Sequence, residues 1–322
     1  MQKNYIILAH KNPQQIRRLV ERLEDGKSQF FIHVDLKSRL EEFEVLKNCK
    51  NTFIIEERIN CIWGDFSIVK ATLLLLKAVV ESGGKGFTIL MSGQDYPIVS
   101  NQQINSFLTE NKDFNFINII PIEEKWSEKM VRDKVEHYHF LHSEQKSDSN
   151  SYAPFHHSSV KQKARNIVHF IKGRMSYKTF CELLRLPKRK PFYTHQFSGS
   201  QWWAFNEQTT EVLYEYIKRN FLELENYYQF TSAPDEIFFQ SVLMNLIPKN
   251  STIKIKPSLT YVNWHRKNVV LPVTFNINDF DELCNTNYLF ARKFDMDYDN
   301  AILDKLDEEI CNIRLHTCLT TN

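Results

Sequence analysis

The first 120 residues alternate short apolar runs with helical patterns, and this alternation restricts the chain more than any single motif in it. "YIILAH" has the continuous apolar character of a strand buried on both faces. "NPQQIRRLVERLED" then places Ile16, Leu19, Val20 and Leu23 at helical spacing, with Pro13 near the start. "FFIHVD" and "TFIIEE" read as the next strands, and "FSIVKATLLLLKAVVES" as a helix stopped by Gly83 and Gly84. "FTILMS" and "NFINII" continue the series. Successive βα units of this kind predict an α/β fold with a mostly parallel central sheet flanked by helices.

Sheets of that class bind ligands beyond the carboxyl ends of their strands. The polar residues just after each strand are His10, then Asp35 with Lys37, then Ser92, Gly93, Gln94 and Asp95. They mark one edge of the sheet as the place to look for chemistry.

Further on, residues 143–160 are polar and read as a loop. Residues 161–190 then carry ten Lys or Arg against the single acid Glu182. This basic stretch reads either as a solvated helix pair or as a contact for an anionic membrane surface or acceptor. A nucleic-acid partner is not expected, because neither a reader motif nor an overall basic charge accompanies the stretch; the net charge is +2. "SGSQWWAFN" reads as a strand, "EQTTEVLYEYIKRN" and "APDEIFFQSVLMNL" as helices, and "AILDKLDEEICNI" as a terminal helix. Without a repeat or a linker, residues 1–322 are expected to form one domain.

The longest apolar candidate for a membrane span, "ATLLLLKAVV", is short and broken by Lys77. The amino-terminal segment lacks a signal-peptide pattern, so a cytoplasmic location is expected. The six cysteines are scattered without zinc-ligand spacing and read as free thiols, with Cys311 and Cys318 able to pair in an oxidising compartment.

"TSAPDEIFF" brings two adjacent acids to the edge of an apolar run. Ser232 followed by Asp235, with Pro234 between them, predicts a helix start of the capping-box kind, with Asp235 and Glu236 in the first turn where the helix dipole favours negative charge.

Taken in order, "AHKNPQQIRRLVERL", "IHVDLKS", "WGDFSIVKATLLLLKAV", "ILMSGQDYPI", "SGSQWW", "APDEIFF" and "LFARKFD" resemble the core-2/I-branching β-1,6-N-acetylglucosaminyltransferases, glycosyltransferase family 14, which also contains the peptide O-xylosyltransferases. The resemblance runs from about residue 5 to residue 310. It implies a GT-A type fold, with a nucleotide-sugar-binding half over 1–120 and an acceptor-binding, catalytic half over 121–322. It also implies an inverting, metal-independent transfer from a UDP-sugar, most simply GlcNAc from UDP-GlcNAc, onto a glycan or glycolipid acceptor. Xylosyl transfer by the same architecture, or a catalytically inactive nucleotide-sugar or glycan-binding protein, are the other readings. Animal members stand behind a membrane anchor, whereas the pattern here starts at residue 5, so a bacterial enzyme, cytoplasmic and peripheral at the inner membrane face through residues 161–190, is expected.

The same resemblance implies roles residue by residue. Glu236 matches the catalytic carboxylate and takes the general-base role, while Asp235 caps or orients. A helix terminus weakens a carboxylate as a base, and the apolar Ile237 and Phe238 beside it would raise its basicity by excluding water. Lys293 in "ARKFD" matches the lysine that neutralises the leaving diphosphate. The animal enzymes add an upstream arginine that is missing here, and Arg292 or Arg266 takes its place. His10 and Asp35 match positions around the uracil and ribose; Trp63, Ser67 and Asp95 belong to the same half. Trp63 and Ser67 read equally as a core residue and an N-cap, and a turn cap is the lesser reading of Asp35. Trp264 in "YVNWHRK" matches an aromatic that stacks on acceptor sugar, and Lys129 and Arg132, with Glu123 or Glu124 upstream, roughly match polar acceptor contacts. No metal site is expected. "SGQDYP" stands where metal-dependent GT-A enzymes carry Asp-x-Asp, and the Asp295, Asp297 and Asp299 series of "FDMDYD" lies far downstream, where it reads as a turn.

Overall fold

The computed structural model describes residues 1–145, 148–249 and 252–309. In chain order its elements are β1 (Lys3–Ala9), α1 (Pro13–Leu23), β2 (Ser28–Val34), β3 (Thr52–Ile54), α2 (Ser67–Glu81), β4 (Phe87–Ser92), β5 (Asp95–Pro97), α3 (Asn101–Glu110), β6 (Phe114–Phe116) and β7 (Ile120–Pro121). They continue with α4 (Ile122–Lys125), α5 (Glu128–Val135), β8 (Tyr138–Leu141), β9 (Ser149–Tyr152), α6 (Val160–Ile171), α7 (Tyr177–Arg185), β10 (Phe197–Ser198), β11 (Ala204–Phe205) and α8 (Glu207–Tyr228). Last come α9 (Phe238–Leu246), β12 (Lys254–Lys256), β13 (Thr260–Val262), α10 (Phe280–Cys284), β14 (Phe290–Arg292) and a helix over 301–309. Cys311 and Cys318, the two thiols able to pair in an oxidising compartment, lie outside the described residues.

Seven strands form the central sheet in the order β12-β6-β11-β4-β1-β2-β3. All its pairings are parallel except those of β11, which runs antiparallel to both β4 and β6. This is the expected mixed α/β architecture with a mainly parallel central sheet. Alternation along each strand sorts side chains onto two faces. Tyr5, Ile7 and Ala9 of β1 join Ile16, Leu19, Val20 and Leu23 of α1 in one core, while Ile6 faces a second core with Leu75, Leu76 and Val79 of α2 and Phe238 and Phe239 of α9. A third, small cluster of Tyr138, Tyr152, Met175 and Leu183 lies under α6 and α7.

Four sequence expectations differ from the structure. "SGSQWWAFN" is not one strand: Ser198 ends β10 and Ala204–Phe205 form β11, because the loop between them wraps back toward the residue 236 turn. "APDEIFFQSVLMNL" is not one helix: Pro234–Glu236 form a 3₁₀ turn, and α9 begins after the non-helical Ile237. The capping box does not form. Ala233 takes a left-handed conformation at φ 49° and no side chain caps the turn, so Ser232 is not the N-cap. In the basic stretch, two helices do form, but Arg189 is no part of a solvated face. It is buried, and its guanidinium donates to the carbonyls of Lys134 (2.6 Å), His137 (2.6 Å) and Tyr227 (2.9 Å) and to Thr231.

Candidate active site

The carboxyl edge of the sheet is continuous across β2, β1 and β4. The Asp35 amide donates to the Ala9 carbonyl at 2.8 Å and the Gly93 amide to the Leu8 carbonyl at 3.0 Å. This brings His10, Asp35 and the 92–95 turn side by side where the chain's strand order reverses about β1. Asp35 is buried, and its Oδ1 accepts from the Lys37 amide at 2.9 Å, so it does cap the turn that carries Leu36 and Lys37. Loss of water around His10, together with Lys11, Lys293 and Lys37, lowers its imidazole pKa against the pull of Asp35. The imidazole thus stands among three lysines.

Lys293 reaches this edge through a second sheet, β13-β14-β5, in which β14 lies antiparallel to β5 and pairs Arg292 with Asp95. The backbone around Lys293 is stitched on both sides. Its amide donates to the Val273 carbonyl, its carbonyl accepts from Phe275, and the next amide, Phe294, donates to Gln94 at 2.8 Å. Asp95 is buried and both of its oxygens are engaged: Oδ2 accepts from the Ser92 amide at 2.6 Å and Oδ1 from Arg292 Nε at 2.8 Å. The Arg292 guanidinium also lies 4.1 Å from the centre of the Trp202 ring. Asp95 and Arg292 are therefore a scaffold behind Lys293. Arg266, the other candidate for a second diphosphate contact, is bound to Asp279 at 2.6 Å and Glu282 at 2.8 Å.

The residue 236 turn is fixed from three directions. The Ala233 amide donates to the Gly64 carbonyl at 2.9 Å, tying the turn to the loop that carries the exposed Trp63. The Gly199 amide donates to the Glu236 carbonyl at 2.9 Å, and Lys134 Nζ donates to the Ser232 carbonyl at 2.7 Å. Gly199 has to be glycine, since a Cβ there would stand 1.6 Å from the Asn118 carbonyl oxygen. The Glu236 carboxylate accepts from Lys125 Nζ at 2.6 Å, and the same ammonium donates to the Gly199 carbonyl (3.0 Å) and Ser198 Oγ (3.2 Å). Trp126 lies between Lys125 and Lys134, 4.6 and 4.3 Å from their ammonium groups.

Hydrophobic shielding does not fall where the sequence suggested. Phe238 and Phe239 turn into the core against Phe66, Tyr228 and Trp203, while the Glu236 carboxylate is half-buried against a cation. Its neighbour carries the desolvation instead. Asp235 Oδ1 is shut from solvent without a hydrogen-bond partner among the described residues, and burial, aided by Glu236, pushes this carboxyl up to about 7 against Lys134 and Lys125. Burial brings the Lys134 ammonium down to about 8, opposed by Glu236 and Asp235.

The acceptor candidates divide. Trp264 is exposed after β13, as a stacking surface needs to be. Lys129 and Arg132 line a cleft of about 200 Å³ with Asp133, His137, Gln162 and Arg165 between α5 and α6, and the side chain that meets Glu236 is Lys125. Glu123 and Glu124 are exposed on α4. Ser67 is no N-cap: its Oγ accepts from Ile62 at 3.0 Å, and Asp65 caps its own amide at 2.8 Å. Asp295 accepts from Lys11 and, at 2.7 Å, from Asn12, which pins the carboxyl segment to the end of β1. Sequence reasoning missed Lys125, Lys134, Gly199 and Trp202; only the glycine of "SGSQWW" signalled a close backbone approach.

A family model described as Core-2/I-Branching enzyme matches residues 4–283. Xylosyltransferase 2 of Rattus norvegicus is 24% identical over 329 residues, covering 94% of this chain and 33% of the relative. Xylosyltransferase 2 of Homo sapiens matches to the same extent. Xylosyltransferase 1 of Rattus norvegicus is 23% identical, covering 94% and 35%. The chain spans about a third of the length of these curated relatives.

Proposed function

The chain belongs to the Core-2/I-branching enzyme family, and from that premise we propose that it is an inverting glycosyltransferase carrying a sugar from a UDP-sugar onto a hydroxyl of a glycan acceptor, with Glu236 as general base. The observation that carries this reading is the seating of Glu236. Its backbone is held by Gly199 and the turn before it by Gly64, and its half-buried carboxylate meets a single lysine. A base that removes a proton from an attacking hydroxyl needs this combination of fixed position and access.

In the reaction the acceptor oxygen attacks the anomeric carbon as the bond from that carbon to the UDP oxygen breaks. The hydroxyl proton passes to the Glu236 carboxylate, UDP departs with the electron pair, and the configuration at the anomeric carbon inverts. His10 and Asp35 hold the uracil and ribose, and Lys293 faces the diphosphate, supported from behind by the Asp95–Arg292 pair. Fixed cations at that edge compensate the charge that develops on the leaving group, without a metal. Trp63 and Trp264 offer exposed rings to sugar, with Lys129 and Arg132 farther along the acceptor side.

Transfer of β-linked GlcNAc from UDP-GlcNAc is the first reading of the donor. Xylose from UDP-xylose is the second, favoured by the names of the rat and human relatives. Mass spectrometry of purified protein offered both donors with a panel of glycan and peptide acceptors separates them. Turnover of UDP-xylose alone removes the first reading, and UDP binding without turnover of any donor removes the enzyme.

A further inference from the structure

Helix α6 presents to solvent the kind of face that helices usually bury. Val160 and Ile171 are 84% and 75% exposed, and Ala164, Ile167 and Val168 are exposed between them. At helical spacing these five residues form one stripe running the length of the helix. The opposite side is already used: Asn166 is buried and donates to the Ala153 carbonyl at 3.0 Å, and Phe170 stacks on Phe180 of α7 at 4.5 Å. The stripe is therefore not a core face left open by a displaced helix. By the same period Lys161, Arg165 and Lys172 lie along one border of the stripe and Lys163 along the other. Arg174, Tyr177 and Lys178 extend the exposed surface past the helix end.

Charge selects the occupant. From Ser149 to Cys181 the chain contains no Asp or Glu. A second copy of this chain laid on the stripe would bring two sets of cations together, whereas an anionic lipid surface complements them. The geometry suits a helix lying in the plane of the lipid boundary, with short apolar side chains inserted and lysine stems reaching outward to phosphates. No helix among the described residues is long and apolar enough to cross a membrane, so the contact is peripheral. We propose that α6 docks this protein onto an anionic lipid surface, with Val160, Ile167, Val168 and Ile171 entering the boundary and Lys161, Lys163, Arg165 and Lys172 binding lipid phosphates. The α6–α7 pair rests on its own small core of Tyr138, Tyr152, Met175 and Leu183, so its outer face can be altered without touching the residue 236 turn.

The test is co-sedimentation of the full chain with vesicles of phosphatidylcholine alone and of phosphatidylcholine mixed with phosphatidylglycerol. Binding is expected only to the mixed vesicles, weakening as salt shortens the screening length. Ile171→Asp is expected to lower vesicle partitioning about tenfold or more, and Lys161→Glu with Lys172→Glu to remove the preference for anionic lipid, both with unchanged thermal melting. Equal binding to neutral vesicles, no binding to either, or an Ile171→Asp protein that binds like the original overturns the proposal. So does sedimentation velocity showing a dimer that Ile171→Asp dissociates, which would make the stripe an interface between copies.

Discussion

Lys125 donates to the Glu236 carboxylate at 2.6 Å, joining residues 111 positions apart in the chain. The same ammonium binds the Gly199 carbonyl, so one cation fixes both the carboxylate and the loop whose amide holds Glu236 in place. Glu236→Gln is expected to lower kcat by roughly 10²- to 10⁴-fold with UDP affinity nearly unchanged. Lys125→Met is expected to lower kcat by roughly ten- to a hundredfold, as loss of a charged hydrogen bond does. Steady-state kinetics beside calorimetric UDP titration checks both; full activity in Glu236→Gln would defeat the base assignment.

Gly199→Ala sets a methyl group against the Asn118 carbonyl, which backbone movement alone can relieve. That movement breaks the Gly199–Glu236 hydrogen bond. Activity is expected to fall further than thermal stability does, and a melting curve measured alongside a transfer assay reads the two separately.

The Asp95–Arg292 pair is enclosed by protein, with side-chain exposures of 1% and 15%. Asp95→Ala leaves an uncompensated buried guanidinium and is expected to cost about 3–5 kcal/mol, read from urea unfolding. Arg292→Met in the same chain is expected to restore part of that loss, since the stranded charge is gone. Neither change should leave UDP affinity intact, because the pair holds the strand that delivers Lys293.

Asp235 gives the fold a pH dependence of definite sign. Its folded value of about 7 lies above the ordinary carboxylate value of about 3.9. Between those values the folded chain holds a proton that the unfolded chain releases. The stabilisation is full below the lower value and is lost as pH rises through the upper one. Asp235→Asn removes the titrating group, so its melting temperature is expected to fall less than that of the original protein from about pH 5 to pH 8. Parallel slopes in the two proteins would refute this.

If Lys293 faces the leaving diphosphate as proposed, Lys293→Ala is expected to lower kcat by roughly a hundredfold or more, with a smaller effect on acceptor KM, since that charge grows in the transition state. Transfer measured in EDTA tests the companion claim that fixed cations do this work. Loss of activity restored by manganese would replace it with a metal.

Much of the fold was legible because it is written locally. The strands β1, β2 and β4 and the helices α1 and α2 each bury a face whose periodicity lies within one short window, and Pro13 and Gly83 mark their ends. Singling out Glu236 as the candidate base also needed only a short motif. Its surroundings were not legible, because Lys125, Gly199 and Gly64 come to it from three distant segments. The break at Ile237 was hidden for a related reason: apolar residues from 237 to 243 have the spacing of one helix, and the left-handed Ala233, tied to Gly64, decides where the helix starts. Arg189 looked like one more surface cation, since the four groups its guanidinium binds lie 38 to 55 residues away.

The place of β11 has a consequence for synthesis. It is a strand of two residues, yet it alone joins β4 to β6, and it comes after the whole α4–α7 region in the chain. A growing polypeptide therefore leaves the ribosome with β4 as an open edge, and that edge stays open until Ala204 and Phe205 emerge. A fragment ending near residue 120 would keep the carboxyl ends of β1, β2 and β4 but expose that edge permanently, making it a template for aggregation.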